Sequence, residues 1–221
     1  MTEKPFPIRA PYRVETRRLV LRPYAPGDSQ PLQETTARCK PHLVEFMPWA
    51  RFDPQTLDEK LELILSFRSQ FDAKDNYIYG IFDAETECLI GGTGLHPRLE
   101  GGAFELGYWV TPEAEGNGFA SEAVRALCHV GFDHMQLDLL GIRMEAPNLR
   151  SVTIASKLGF VREGVLRKSI RFADDRPKDA VRYTMIESEY RAAPWRAETC
   201  ESVHAFDALN RPLLFSPSPL G

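Results

Sequence analysis

The stretch Glu115-Gly116-Asn117-Gly118-Phe119-Ala120-Ser121-Glu122 constrains this chain more than any other. It follows an apolar run, Phe104 to Val110, and opens a helical pattern that continues to about His134. A strand, a glycine turn and a helix start together make a backbone suited to phosphate. Gly116 and Gly118 can take φ > 0 and let a ligand approach the main chain closely. The N–H groups of the first helical turn have no partner within the helix, and the helix dipole favours an anion in front of them. The stretch is not a P-loop, because no Gly-Lys-Ser/Thr follows. Nor is it a dinucleotide fingerprint, because Ser121 and Glu122 stand where the third glycine is needed. A glycine pair before a helix also serves as a plain turn, so the rest of the chain has to decide.

Residues 1–16 read as a loose, proline-rich lead-in, and Arg18 to Arg22 as a strand ended by Pro23. Asp28 is an expected N-cap, with Pro31 in the first turn of a short helix to about Arg38. An apolar knot follows, Leu43, Phe46, Met47, Pro48 and Trp49, which fits core packing or a ligand contact. Thr56 and Glu59 form a capping box for a second helix, whose stripe Leu57, Leu61, Ile64, Leu65 and Phe71 reads as core. Tyr77 to Phe82 and Cys88 to Leu95 make a hairpin about a polar turn, and Ala103 to Val110 a central strand. Leu139 to Ala146 is a further strand. Asn148 caps a helix that ends at Leu158, with Gly159 as its C′ residue. Phe160 to Phe172 and Ala180 to Ile186 pair around the charged turn Ala173 to Asp179.

The order β-α-α-β-β-β-α-β-α-β-β argues for one α/β (α+β) domain: a mixed central sheet of about six to seven strands flanked by about four helices. It spans residues 13–192, between a lead-in over 1–12 and a C-terminal tail over 193–221 that shows no clear period. Within it Glu105 is a misfit. By the period of two it shares a face with Ala103, Gly107 and Trp109, where a carboxylate is costly unless paired, protonated or facing a wet cleft.

Composition excludes several classes. A net charge of −4 advertises no basic surface for nucleic acid. The four cysteines are far apart and show no metal-ligand spacing, so no metal is expected and the thiols read as reduced. No apolar run reaches transmembrane length, and Met1 to Tyr12 lacks a secretory pattern. The expectation is a cytoplasmic protein without a membrane partner.

Three stretches taken together resemble one family. They are Phe104 to Val110, then Glu115 to Ala123, then Asn148-Leu149-Arg150-Ser151 followed by Lys157-Leu158-Gly159-Phe160. In this order and spacing they resemble the GNAT acetyltransferases, in particular the RimJ/RimL-like branch that acetylates ribosomal-protein N-termini. Phe46-Met47-Pro48-Trp49 resembles the Pro-Trp loop of that branch, and Arg162 to Arg167 the stretch after its last helix. The likeness covers about residues 13–192 and implies the GNAT fold. The phosphate motif of the family runs Arg/Gln-x-x-Gly-x-Gly/Ala. Gly118 and Ala120 fit it, whereas Glu115 stands at the Arg/Gln position, and its side chain is expected to turn outward.

The resemblance implies acetyl transfer from acetyl-CoA, as cosubstrate, to an amine in a ternary complex. The pantetheine arm would lie along the strand ending Tyr108-Trp109-Val110, with Trp109, Val110, Gly116, Asn117, Gly118, Phe119, Ala120, Ser121 and Asn148 as the cosubstrate contacts. The Val110 N–H is the expected donor to the thioester oxygen. Glu105 is the expected base, directly or through water, and Ser151 the donor to the departing thiolate; Ser151 also fits an ordinary first-turn serine. Trp49 and Glu105 are expected at the acceptor. The acceptor itself is a protein N-terminus or a small-molecule amine, and a non-catalytic acyl-CoA-binding module is a further reading, favoured by Glu115. Members of the family are often dimers, which extends here as an expectation.

Overall fold

The structure is a computed structural model that describes residues 10–99, 103–171 and 176–214. Its sheet has ten strands: β1 (Arg13–Glu15), β2 (Leu19–Arg22), β3 (Tyr77–Asp83), β4 (Leu89–His96), β5 (Phe104–Val110), β6 (Leu139–Glu145), β7 (Val161–Arg171), β8 (Pro177–Ile186), β9 (His204–Phe206) and β10 (Pro212–Leu213). Six α-helices surround it: α1 (Ser29–Leu43), α2 (Leu57–Ala73), α3 (Phe119–His129), α4 (Leu149–Lys157), α5 (Glu187–Ala192) and α6 (Arg196–Ser202). The α/β reading holds, with more strands and helices than the sequence suggested.

The strand order is β10-β9-β1-β2-β3-β4-β5-β6-β8-β7. Every pairing is antiparallel except β5 with β6, which α3 connects as a crossover. That parallel pair is short. It runs from Phe104↔Leu140 to Leu106↔Ile142, while the strands themselves continue to Val110 and Glu145. The sheet therefore opens between β5 and β6 toward their C-terminal ends. The main core lies under this region, where Ala123, Val124 and Leu127 of α3 pack on Leu106, Leu140 and Ile142.

Local signals placed most elements. Thr56 and Glu59 close the capping box at α2, with the Glu59 N–H 3.2 Å from Thr56 Oγ1 and the Thr56 N–H 2.7 Å from Glu59 Oε2. Asn148 caps α4 by accepting from the Ser151 N–H at 3.1 Å, and Gly159 follows the helix at φ +87°. At α1 the expectation needs correcting in two respects. Asp28 occupies the N-cap position, yet its carboxylate accepts from both terminal nitrogens of Arg22 (2.7 and 2.9 Å) and from the Ala25 N–H. The helix also runs on past Arg38 to Leu43.

The α2 stripe is core only in part. Ile64 and Phe71 are buried, but Leu57 and Leu65 are 46% and 43% exposed. Instead the helix buries Lys60, 1% exposed, which pairs with Asp53 at 2.7 Å; Thr36 donates to the same carboxylate at 2.9 Å. The pairing of β7 with β8 is as expected, although residues 172–175 of the intervening turn lie outside the described residues, as do residues 1–9 of the lead-in.

The C-terminal segment, over its described residues to 214, is built into the body. Trp195 donates to the Leu158 carbonyl at 3.0 Å, and β9 pairs antiparallel with β1 over Arg13↔Phe206 to Glu15↔His204. Tyr190 and Cys200 meet His129 and Asp133 beneath it. Asp133 accepts from His129 at 2.8 Å, from Tyr190 and from Arg191, with Arg196 at 3.4 Å. The ligand-type atoms of His129, Asp133 and Cys200 lie within 4.8 Å of one another, and none of the three lines the cleft described next.

Candidate active site

The glycine turn has the geometry its sequence required. Gly116 and Gly118 sit at φ +74° and +81°, and Gly118 is the N-cap of α3 without a side chain to block approach. The first intrahelical bond runs from the Glu122 N–H to the Gly118 carbonyl, so the N–H groups of Phe119, Ala120 and Ser121 point out of the helix end. The turn is braced from behind by Arg18. Its guanidinium donates to Asn117 O at 3.0 Å and to Glu122 at 2.8 Å, and stacks over the Phe119 ring at 4.5 Å. Thr16 also donates to Glu122, at 2.6 Å. This brace joins residues about a hundred positions apart, so no local pattern announced it.

Glu115 does not turn outward as expected. Its Oε1 lies 2.6 Å from Arg150 at the start of α4 and 2.8 Å from His42 Nε2 near the end of α1. All three residues border a cleft of about 710 Å³ that runs from the glycine turn along Val110 to Asn148 and Ser151. The acidic side chain is thus ion-paired with Arg150 and in hydrogen-bond reach of His42, from two other elements.

The opened sheet supplies the other half of that cleft. The Thr111 N–H donates to Ile90 at 2.8 Å, toward β4. By alternation along the strand, the N–H groups of Val110 and Tyr108 face the gap toward β6. An extended ligand arm there would complete the sheet as an added strand.

A second chamber, of about 510 Å³, adjoins the first. Phe46, Met47, Tyr108, Trp109, Asn148 and Ser151 line both, so the two meet at these six residues. Trp49, 38% exposed, stands against Trp109 with ring centroids 5.7 Å apart, and both border the second chamber. A Cβ on Gly92 would lie 2.5 Å from the Trp109 indole nitrogen, so the bare backbone at 92 is what lets that ring lie flat on β4. Burial pushes the Tyr108 phenol up to about 12, so it keeps its proton at neutral pH; its hydroxyl reaches to 3.5 Å from the Ser151 carbonyl. Tyr108 is a donor that the sequence reading did not single out.

Glu105 lines the second chamber and is 6% exposed. It is paired: Arg143 approaches Oε2 at 3.1 Å and Oε1 at 3.4 Å, and Arg98 lies 3.4 Å from Oε1. The structure therefore brings Trp49, Glu105, Trp109, Asn148 and Ser151 around one chamber, and Trp109, Val110, Gly116, Gly118, Phe119, Ala120, Ser121, Asn148 and Ser151 around the other. Asn117 belongs to the turn but points its amide back to the Glu113 and Glu115 carbonyls, at 3.4 and 3.2 Å.

Comparison with known proteins gives the same answer. The acetyltransferase (GNAT) domain model matches residues 18–161. The uncharacterized N-acetyltransferase YoaA of Bacillus subtilis is 28% identical over 183 residues, 82% of this chain and 98% of its own length. The ribosomal-protein-serine acetyltransferase of Escherichia coli is 32% identical over 82 residues, 37% of this chain and 45% of its own. Among solved structures, the microcin C7 self-immunity acetyltransferase MccE, in complex with acetyl-CoA and AMP, superposes with a TM-score of 0.71 at 19% identity, covering 77% of this chain and 93% of that one. RimL, a ribosomal L7/L12 α-N-protein acetyltransferase in complex with coenzyme A, gives 0.69 at 19%, covering 77% and 95%. The anion-ready turn, the opened sheet and the adjoining chamber thus belong to a recognised whole: this chain is a member of the GNAT acetyltransferases, an N-acetyltransferase that moves the acetyl group of acetyl-CoA to an amine.

Proposed function

We propose that the acceptor is the α-amine of a protein N-terminus, entering the chamber between Trp49 and Glu105. One observation carries this reading: the chamber is aromatic, and its carboxylates are already matched by cations. Glu105 is held by Arg143 and Arg98, and Glu145 by Lys178 at 3.1 Å. A polyamine or aminoglycoside needs spare negative charge to offset the desolvation of several ammonium groups. A single α-amine on an uncharged peptide end does not. The relatives described as ribosomal-protein acetyltransferases support the same choice.

In this reading the first turn of α3 holds the pyrophosphate of acetyl-CoA, and the Val110 N–H meets the thioester oxygen and stabilises the oxyanion formed on attack. Ser151 donates to the leaving thiolate, with Asn148 fixing the helix end that carries it. Glu105 keeps a place in the chemistry with a changed emphasis. Both of its oxygens are engaged by guanidinium groups, so it anchors the charge pattern that orients the amine. The reaction takes place in the cytoplasm, where acetyl-CoA and new N-termini meet; no described helix is long and apolar enough to cross a membrane.

A panel of N-terminal peptides set against polyamines, amino acids and aminoglycosides, read by thiol release from acetyl-CoA, tests the acceptor. Peptide turnover with kcat/KM at least tenfold above any small amine supports the reading. A small amine leading by that margin overturns it. Glu105→Gln is expected to lower kcat/KM for the amine and leave acetyl-CoA binding intact.

A further inference from the structure

The acceptor chamber holds a group that the family comparison does not bring forward, His96 at the end of β4. It stands directly across from Glu105 in the β4–β5 ladder, so the two side chains share a face of the sheet. Two glycines make room for its ring. A Cβ on Gly94 or on Gly107 would each lie 3.0 Å from Nε2. The ring thus lies over the backbone one residue before Tyr108, and it borders the chamber.

Its tautomer is fixed from the other side. Asn76 Nδ2 donates to Gln70 Oε1 at 3.0 Å, and Gln70 Nε2 donates to Ser66 at 3.1 Å. The Asn76 oxygen is therefore the atom that faces the imidazole, and Nδ1–H donates to it at 2.6 Å. Nε2 is left with its lone pair, and no described group bonds it. The other basic groups of the chamber are occupied: Glu105 by two arginines and Glu145 by Lys178.

We propose that His96 Nε2 is the proton acceptor of the transfer step, directly or through one water, a role that rests on the acceptor reading above. The neutral amine donates its lone pair to the thioester carbon. A C–N bond forms and the carbonyl π pair moves onto oxygen, where Val110 N–H meets it. The nitrogen, now positively charged, becomes acidic. Nε2 takes one of its protons, the C–S pair leaves with sulfur, and the proton held by the imidazolium ends on the thiolate, through Ser151 or solvent. Amine and acetyl-CoA become amide and CoA thiol with no proton left over.

The environment suits that step. Burial first, and then the charge of Arg98, pull the His96 pKa down to about 4, so the ring is neutral when the amine arrives. The charged groups facing it are Arg98 just past β4 and Glu105 on β5; the α2 side presents the neutral Gln70 and Asn76. A weak base is adequate for a proton that turns acidic only as the C–N bond forms.

His96→Ala is expected to lower kcat about 10²-fold while acetyl-CoA still binds and still raises Tm, which shows that the variant is folded. Added imidazole should restore a concentration-dependent part of the rate, which a purely structural histidine would not allow. Asn76→Asp places a carboxylate on Nδ1–H and should move the acid limb of kcat to higher pH. A His96→Ala variant as fast as wild type, a slow one without imidazole rescue, or an unmoved acid limb in Asn76→Asp would each overturn the proposal. Wild-type turnover is read in the same assay. Failure of the acceptor reading would show as no wild-type rate with any peptide, and failure of His96 as an undiminished variant rate.

Discussion

At the scale of single residues, Glu115 changes the meaning of a motif position. An acidic side chain at a pyrophosphate turn invites the thought of a disabled site. Here it gathers Arg150 and His42 at the rim of the cleft instead. Removing its charge should release both bases toward the cosubstrate. Glu115→Gln is expected to tighten acetyl-CoA by up to about fivefold, the scale of a partly exposed ion pair, and to leave acetyl-pantetheine, which lacks the pyrophosphate, unchanged. Titration calorimetry with both ligands checks this, and weaker acetyl-CoA binding would show that Glu115 organises the rim. Ser151→Ala should slow turnover about 10²-fold at unchanged acetyl-CoA affinity. Loss of affinity alone would make Ser151 a contact of the cosubstrate and remove it from the proton path.

At the scale of elements, what could be read from sequence was what neighbours in sequence decide. The capping box at Thr56, the Asn148 cap, the glycine turn and the two hairpins depend on residues within a few positions, and all stand as expected. What could not be read depends on partners from far along the chain. Arg18 behind the turn, His42 and Arg150 on Glu115, and Arg143 on Glu105 are placed by topology. The C-terminal segment escaped for another reason: α5 and α6 span six and seven residues, β9 and β10 three and two, too short for a period to show. Buried charge on α2 escaped as well, because Lys60 interrupts the apolar pattern that usually marks a core face. That lysine makes a clear prediction. Lys60→Ala leaves the Asp53 carboxylate buried without its cation and should cost about 3–5 kcal/mol, seen as a lower urea midpoint. A midpoint close to wild type would mean that water reaches Asp53 when the lysine is gone.

At the scale of the whole molecule, ligand and pH both report on the fold. Acetyl-CoA at 100 times its Kd should add about 2.7 kcal/mol to the stability of the native state, so a scan with and without it should show a clear rise in Tm. No rise would count against the cleft beside the glycine turn as the cosubstrate site. Acid acts through two buried groups of different kinds. Burial pushes the Asp133 carboxyl up, but hydrogen bonds from His129 and Tyr190 and the nearby charges outweigh it and hold it below the usual carboxylate range. A depressed carboxyl stabilises the fold above its unfolded pKa, about 3.9, and that contribution fades as pH falls below it. His96 acts earlier. The unfolded chain gains this proton from about pH 6.5 downward, the folded chain only near 4, so stability declines across that window. Urea midpoints taken through the acid range should fall in wild type from near pH 6.5, whereas His96→Gln should hold level until the carboxylates protonate.

The pairing of β9 with β1 also bears on how the protein is made. Arg13 waits for Phe206, and Glu15 for His204, so one edge of β1 stays open until about 190 further residues have been made. A nascent chain arrested before residue 196 would expose that edge and leave Asp133 and His129 without the cover of α6, a state suited to chaperones and to strand-exchanging neighbours. Acquisition of the native state should therefore come abruptly, when β9 emerges, and not grow in step with the length of the chain.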